Sequence, residues 1–176
     1  KTYLQYELVR TQLKLIADTE KVQLPDLGPV GSGVEVQELT EFPEDAVELF
    51  QKHAERTGAI AVRDKAQLDW RYVKNPSNDY RIAAARRSGE LVGLTVQRVG
   101  TFDGVESSLV CDWMVAGPEG NRAPFDLGAT IELLAWQRAV AVESGASQIA
   151  ALFSDSCHEW LGFQEASFRV GDTSYF

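Results

Sequence analysis

The stretch from Ser107 to Gly145 constrains this chain more than any other part of it. SSLVCDWMVAG reads as an apolar, β-branched strand, a connection containing Gly117, Pro118 and Pro124 follows, and FDLGATIELLAWQRAVAVESG reads as a long helix. That helix, about Leu127 to Ser144, carries Leu127, Ile131 and Leu134 on one side with Ala135, Ala139 and Val142 beside them, and Gly145 ends it. A strand feeding such a helix must bury its apolar side against the same core. The loop between them faces the unpaired N–H groups of a helix start, so a bound anion is expected there first.

Around this unit the chain divides in two. Residues 1–33 are predicted to form an N-terminal arm and linker, the arm being a candidate tail of an upstream domain, and residues 34–176 one domain. Leu4, Tyr6 and Leu8 alternate as in a strand, whereas RTQLKLIADTEKVQL fits a helix or an extended arm equally. PDLGPVGSG, with two prolines and three glycines, is the linker. Val34–Leu39 alternates as a strand. A helix from Pro43 to Gly58 presents Ala46, Val47, Phe50 and Ala54, with His53 beside that stripe as a packed or surface residue. Asp64 and Gln67 form a capping-box pattern opening RDKAQLDWRYVKNP, which Pro76 terminates. Three strands follow, Tyr80–Arg86, Leu91–Val99 and Glu106–Val115, joined at Ser88-Gly89 and Asp103-Gly104, pairs suited to tight antiparallel hairpins. Beyond the long helix come a strand at Ser147–Phe153, a short helix in SDSCHEWLGF closed by Gly162, and a last strand from Ala166.

Composition narrows the function classes. With 44% hydrophobic residues among 176, the chain can bury a full domain core. Seventeen basic against 26 acidic residues, a net charge of −9, argue against a nucleic acid or an anionic membrane as partner and fit an amine better. Two cysteines, Cys111 and Cys157, read as unpaired thiols of a reducing, cytoplasmic setting, and two histidines supply no zinc-ligand spacing. No apolar run approaches the roughly 20 residues that span a bilayer, and no signal peptide is evident.

The order strand, helix, helix, three antiparallel strands, long helix, strand, short helix, strand resembles the GNAT superfamily of acyl-CoA-dependent N-acyltransferases. DWMVAG followed by GATIELL, and the short helix ending in Leu161-Gly162-Phe163, carry the resemblance over Val34 to Phe176. RDKAQLDWRYVKNP with Tyr80, and Cys111-Asp112-Trp113, are similar to a branch found among bacterial polysaccharide-assembly genes. The resemblance implies an α/β fold with a mixed sheet, and acetyl-CoA or another acyl-CoA as cofactor. With Leu133-Leu134 on the family's Leu pair, Gly128 falls on the first glycine of the pyrophosphate loop, Thr130 on its second small position and Phe125 on its Gln or Arg.

Cofactor contacts are then implied for Leu127, Gly128, Ala129 and Thr130, with Arg122 as the nearby cation and Met114 and Val115 along the pantetheine arm. Asp126 would set a carboxylate close to the phosphates. The family's general-acid tyrosine, four residues before the short helix's glycine, is replaced by His158. Asp112 is the candidate base for deprotonating an amine. If its strand alternates regularly, Asp112 shares a face with Val110 and Met114, and its alternative role is a salt bridge to Arg71 or Arg81. Trp70, Arg71 and Tyr72 fan around a helix, with Trp70 and Arg71 the candidate substrate contacts and packing of Trp70 or Tyr72 on the sheet the competing role.

Two functions follow from these residues. One is acyl transfer, which the resemblance implies as acetyl transfer, from CoA to a small-molecule amine. The other is a catalytically inactive GNAT-like domain acting as a binding or assembly module, such as one half of a tandem protein or of a homo-oligomer.

Overall fold

In the computed structural model the described residues are 12–28, 32–57, 61–117, 125–154 and 158–173. Seven strands form one sheet: β1 Gln12–Asp18, β2 Val34–Leu39, β3 Arg81–Arg87, β4 Glu90–Phe102, β5 Val105–Val115, β6 Gln148–Ser154 and β7 Arg169–Thr173. Four helices accompany them: α1 Ala46–Thr57, α2 Lys65–Leu68, α3 Leu127–Glu143 and α4 Trp160–Glu165. The strand order is β2-β3-β4-β5-β6-β1-β7, with β5 and β6 parallel and every other pair antiparallel.

Local chemistry explains most boundaries. Ser88 (φ 49°) and Asp103 (φ 50°) each precede a glycine of positive φ, the geometry that lets a two-residue hairpin match the twist of its strands. Asp64 accepts the Gln67 N–H at 2.8 Å and opens α2. The helix then widens into a π-helical turn, Asp69–Val73, where alternate α-helical bonding had been the simpler expectation from sequence.

Helices cover both faces of the central strands, which is why Leu91 to Gln97 are buried without alternation. α3 lies on the face of Gly93 and Thr95: a Cβ on Gly93 would stand 2.8 Å from Leu133 Cδ1, and Gln137 Nε2 donates to Thr95 Oγ1 at 2.6 Å. Tyr72 meets the other face. At Val96/Gln97 the β4–β5 register shifts, Val96 facing Asp112 and Gln97 facing Val110, so Cys111 is the extra residue of a bulge on β5. Strict alternation along this strand therefore fails. Asp112 stays with Met114, but Val110 falls on the α3 side with its partner Gln97.

The N-terminal segment takes the extended form of its two alternatives. β1 is an internal strand between β6 and β7, with Leu15 fully buried and Ala17 nearly so. The alternating Leu4, Tyr6 and Leu8 lie outside the described residues. No described helix is long and apolar enough to cross a membrane.

Candidate functional site

The start of α3 is filled by the chain's own groups. Asp126 caps the helix, its carboxylate accepting the Ala129 N–H at 2.9 Å, while its own N–H donates to the Ala116 carbonyl and its carbonyl accepts the Thr130 N–H. Arg87, from the end of β3, closes on the same carboxylate with two arms: Nη2 donates to Oδ1 at 2.9 Å and Nη1 to Oδ2. Burial pushes the Asp126 pKa up, but Arg87 and the N–H groups of Ala129 and Gly128 outweigh it and hold the carboxyl below the usual aspartate value. Ser32 adds a further cover, its hydroxyl donating to Glu132 Oε1 at 2.7 Å.

Gly128, the residue that aligns with the family's phosphate loop, is crowded as a result. A Cβ there would meet Arg87 Nη2 at 3.0 Å, Ser32 Cβ at 3.3 Å and Asp126 Oδ1 at 3.4 Å. Leu127 is exposed, whereas Ala129 and Thr130 are fully buried. Arg122 lies outside the described residues.

Beside it, β5 and β6 separate. Pairing of the two strands ends at Val110 with Ala151, five residues short of the end of β5 at Val115. Between the separated ends sits a ring cluster in which Phe163 of α4 packs edge-on against Trp113 (4.8 Å), Phe153 (5.0 Å) and Phe168 (5.0 Å). α4 approaches α3 closely enough that a Cβ on Gly162 would stand 2.5 Å from Thr130 Cγ2 and 3.3 Å from Phe125. Met114 and Val115 are buried. Just before α4, Glu159 is buried with its Oε1 3.3 Å from Nδ1 of the buried His53 on α1. His158, one position earlier, is exposed.

Asp112 is held on three sides. Arg63 Nε donates to Oδ1 at 2.8 Å, the Trp113 N–H to Oδ1 at 2.9 Å and the Tyr72 hydroxyl to Oδ2 at 3.0 Å. Its ionic partner is thus Arg63, in place of the Arg71 or Arg81 expected from sequence. Arg81 instead forms ion pairs with Glu38 and Glu143, and the Arg71 guanidinium lies 5.3 Å from the Tyr72 ring. Burial, then the Asp112 charge, pushes the Tyr72 hydroxyl well above the ordinary tyrosine pKa. Trp70 projects from the π-helical turn, 66% exposed.

Of the residues singled out in sequence, the structure brings Gly128, Ala129 and Thr130 together with Asp126, and Met114 with Asp112 on one strand. Trp70 and Arg71 are exposed, whereas Tyr72 and Asp112 are buried. Arg87 and Glu159 carried no local signal, because each acts on a residue far away in the chain, and His53 was read as packed or superficial without a partner.

A pyrophosphate-binding start to α3 requires open N–H groups, and Asp126 has already taken those of Gly128 and Ala129. As they stand, the N–H groups of Gly128 and Ala129 are therefore not open to a pyrophosphate.

The sheet order, the bulged β5, the β5–α3–β6 crossover and the separated strand ends define a GNAT fold. Solved structures share it. The chain superposes on a GCN5-related N-acetyltransferase from Anabaena variabilis with a TM-score of 0.65 at 11% identity, covering 97% of this chain and 41% of that one. A probable N-acyltransferase of unknown function from Enterococcus faecalis gives 0.63 at 15% identity, covering 98% and 41%. A tandem GNAT protein from the clavulanic acid biosynthesis pathway gives 0.56 at 15%, covering 94% and 51%. The chain thus spans about half or less of these proteins' length. No protein-family model matches the sequence, and no curated protein is significantly similar to it.

Proposed function

We propose that this chain is a GNAT-fold domain whose acyl-CoA cleft is closed from within, and that it serves as a binding or assembly module, such as one half of a tandem protein. The observation carrying this reading is the Asp126 carboxylate on the first turn of α3, clamped there by Arg87. An incoming pyrophosphate meets a negative charge where an active member of the fold offers open amides. To reach those amides the pyrophosphate would have to displace the Asp126 carboxylate from the Gly128 and Ala129 N–H groups and from Arg87. CoA would have to displace that ion pair, and Phe163 with the rings around it packs against both β5 and β6 where their pairing has ended.

The competing reading is an N-acyltransferase using acetyl-CoA or another acyl-CoA, with Asp112 as base and His158 as acid. The fold supports it. The site residues support it less: Asp112 already serves three donors, and His158 is exposed to water.

Titration with CoA and acetyl-CoA, by calorimetry and by thermal melting, separates the two. A ligand of Kd about 10 µM at 1 mM stabilises its native protein by about 2.7 kcal/mol. For a domain of this size that is a rise of roughly 5–11 °C in melting temperature. The closed cleft predicts no heat and no shift; a rise of several degrees overturns it.

A further inference from the structure

We infer that the pocket where the π-helical turn meets the end of β2 and the start of β3 is a binding site for a neutral pyranose sugar. The proposal does not depend on whether CoA binds. Arg81, which lines the pocket, opens β3, and Arg87 ends that strand about 20 Å away at about 3.3 Å per residue.

The pocket measures about 360 Å³, within the range of small-ligand sites. Part of its lining is held in place by the protein itself. Arg81 Nε and Nη2 donate to the two carboxylate oxygens of Glu38 at 2.7 Å each, and Nη1 donates to Glu143 of α3 at 2.7 Å. The connection from the π-helical turn to β3 contributes polar groups that the protein does not use. The side chains of Asn78, Asp79 and Tyr80 line the pocket and make no hydrogen bond or ion pair with another described residue. Asn78 and Tyr80 are nevertheless half-buried. Tyr72, Val73 and Ile82 add apolar surface beside them.

Charge and hydrogen-bonding capacity together select the ligand. Arg81 already meets two carboxylates, Glu38 and Glu143, so its positive charge is not free to draw an anion. Both Glu38 oxygens accept from Arg81, which leaves the exposed Asp79 as the one uncommitted carboxylate of the lining. A single exposed ion pair holds a cation weakly. What stands unpaired is an amide, a carboxylate and a phenol in three consecutive residues, donors and acceptors together beside apolar surface. A pyranose matches that set, because each of its hydroxyls both donates and accepts while its C–H face is apolar.

The isotope-labelled full chain would be titrated, with amide NMR as readout, against the methyl pyranosides of glucose, galactose and mannose, against N-acetylglucosamine, and against spermidine as a cationic control. At ordinary ligand efficiency a ring of about 12 non-hydrogen atoms binds with a Kd on the order of 1 mM. Saturable shifts are expected from at least one sugar, confined to residues 39–40 and 75–82. Asp79→Ala and Asn78→Ala remove side chains that hold nothing else in the protein, so both should keep the native melting temperature. Asp79→Ala should raise the sugar Kd by about tenfold or more, and Asn78→Ala by about fivefold, for the loss of a charged and a neutral hydrogen bond. The proposal is overturned by the lack of any saturable shift from the sugars up to about 20 mM, about twenty times that Kd. Shifts elsewhere in the chain, or shifts that both variants leave unchanged, overturn it equally. Saturation by spermidine alone would make the pocket a cation site instead.

Discussion

Arg87 and Asp126 lie 39 positions apart and close into a two-armed ion pair over the first turn of α3. The pair ties the end of β3 to the start of α3 and places a negative charge on the helix's positive end, where it is favourable. One carboxylate thereby caps the helix and binds Arg87.

That relationship makes stability depend on pH in a stated direction. Asp126 has a depressed folded-state pKa, so it adds stability above its unfolded value, about 3.9, and loses it as pH falls through the lower folded value. Asp126→Ala should cost about 1 kcal/mol from the cap alone. Asp126→Asn keeps the cap and loses only the ionic part, so it should cost less. Urea unfolding from pH 7 down to pH 3 checks this: the gap between native protein and Asp126→Asn should be level near neutrality and shrink below about pH 4. A gap that grows on acidification would show that the carboxylate is not stabilised by Arg87.

Two residues of the π-helical turn, Trp70 and Tyr72, should respond very differently to substitution. Tyr72 is 4% exposed and its hydroxyl serves the Asp112 carboxylate, so Tyr72→Phe should cost about 1.5–3 kcal/mol, the range for a hydrogen bond to a charged group. Trp70 is 66% exposed, and Trp70→Ala should stay within about 0.5 kcal/mol of the native protein. Chemical denaturation of the two variants gives the comparison directly. Equal losses would mean that Trp70 packs on a surface it does not touch in this structure.

Local chemistry was legible in the sequence, and long-range pairing was not. Ser88-Gly89, Asp103-Gly104, the Asp64 cap and the ends of α3 depend on neighbours within a few positions, so the residues themselves announce them. The place of β1 depends on β6 and β7, more than 130 positions away, and QLKLIAD carries no mark of being an internal strand. The bulge at Cys111 follows from the offset between β4 and β5, which no property of LVCDWMV specifies. Asp126 was visible as an awkward charge beside the phosphate loop. What made it decisive was Arg87, whose approach only the folded sheet creates.

His53 and Glu159 join α1 to the entry of α4, both nearly inaccessible to water. Replacing Glu159 by Gln removes the charge from a buried acceptor and should cost on the order of 1–3 kcal/mol. At about 2–4 °C per kcal/mol for a domain of this size, the melting temperature should fall by roughly 2–12 °C. An unchanged melting temperature would show that the contact does not hold the two helices together.

Gly162 and Thr130 mark the contact between α4 and the start of α3. In a helix, alanine is ordinarily preferred to glycine by about 1 kcal/mol, so an open site would gain stability from Gly162→Ala. Here the added Cβ would stand 2.5 Å from Thr130 Cγ2, with Phe125 at 3.3 Å behind it. Thr130 is β-branched and helical, so its methyl has few rotamers to which it can retreat. Overpacking of this kind costs about 1–3 kcal/mol, enough to outweigh the propensity gain. Thr130→Ser removes the obstructing methyl while keeping the hydroxyl, so the double variant Gly162→Ala/Thr130→Ser should be less destabilised than the sum of the single variants. Denaturation of all four proteins in a double-mutant cycle measures that coupling. Additive effects would place α4 away from the start of α3.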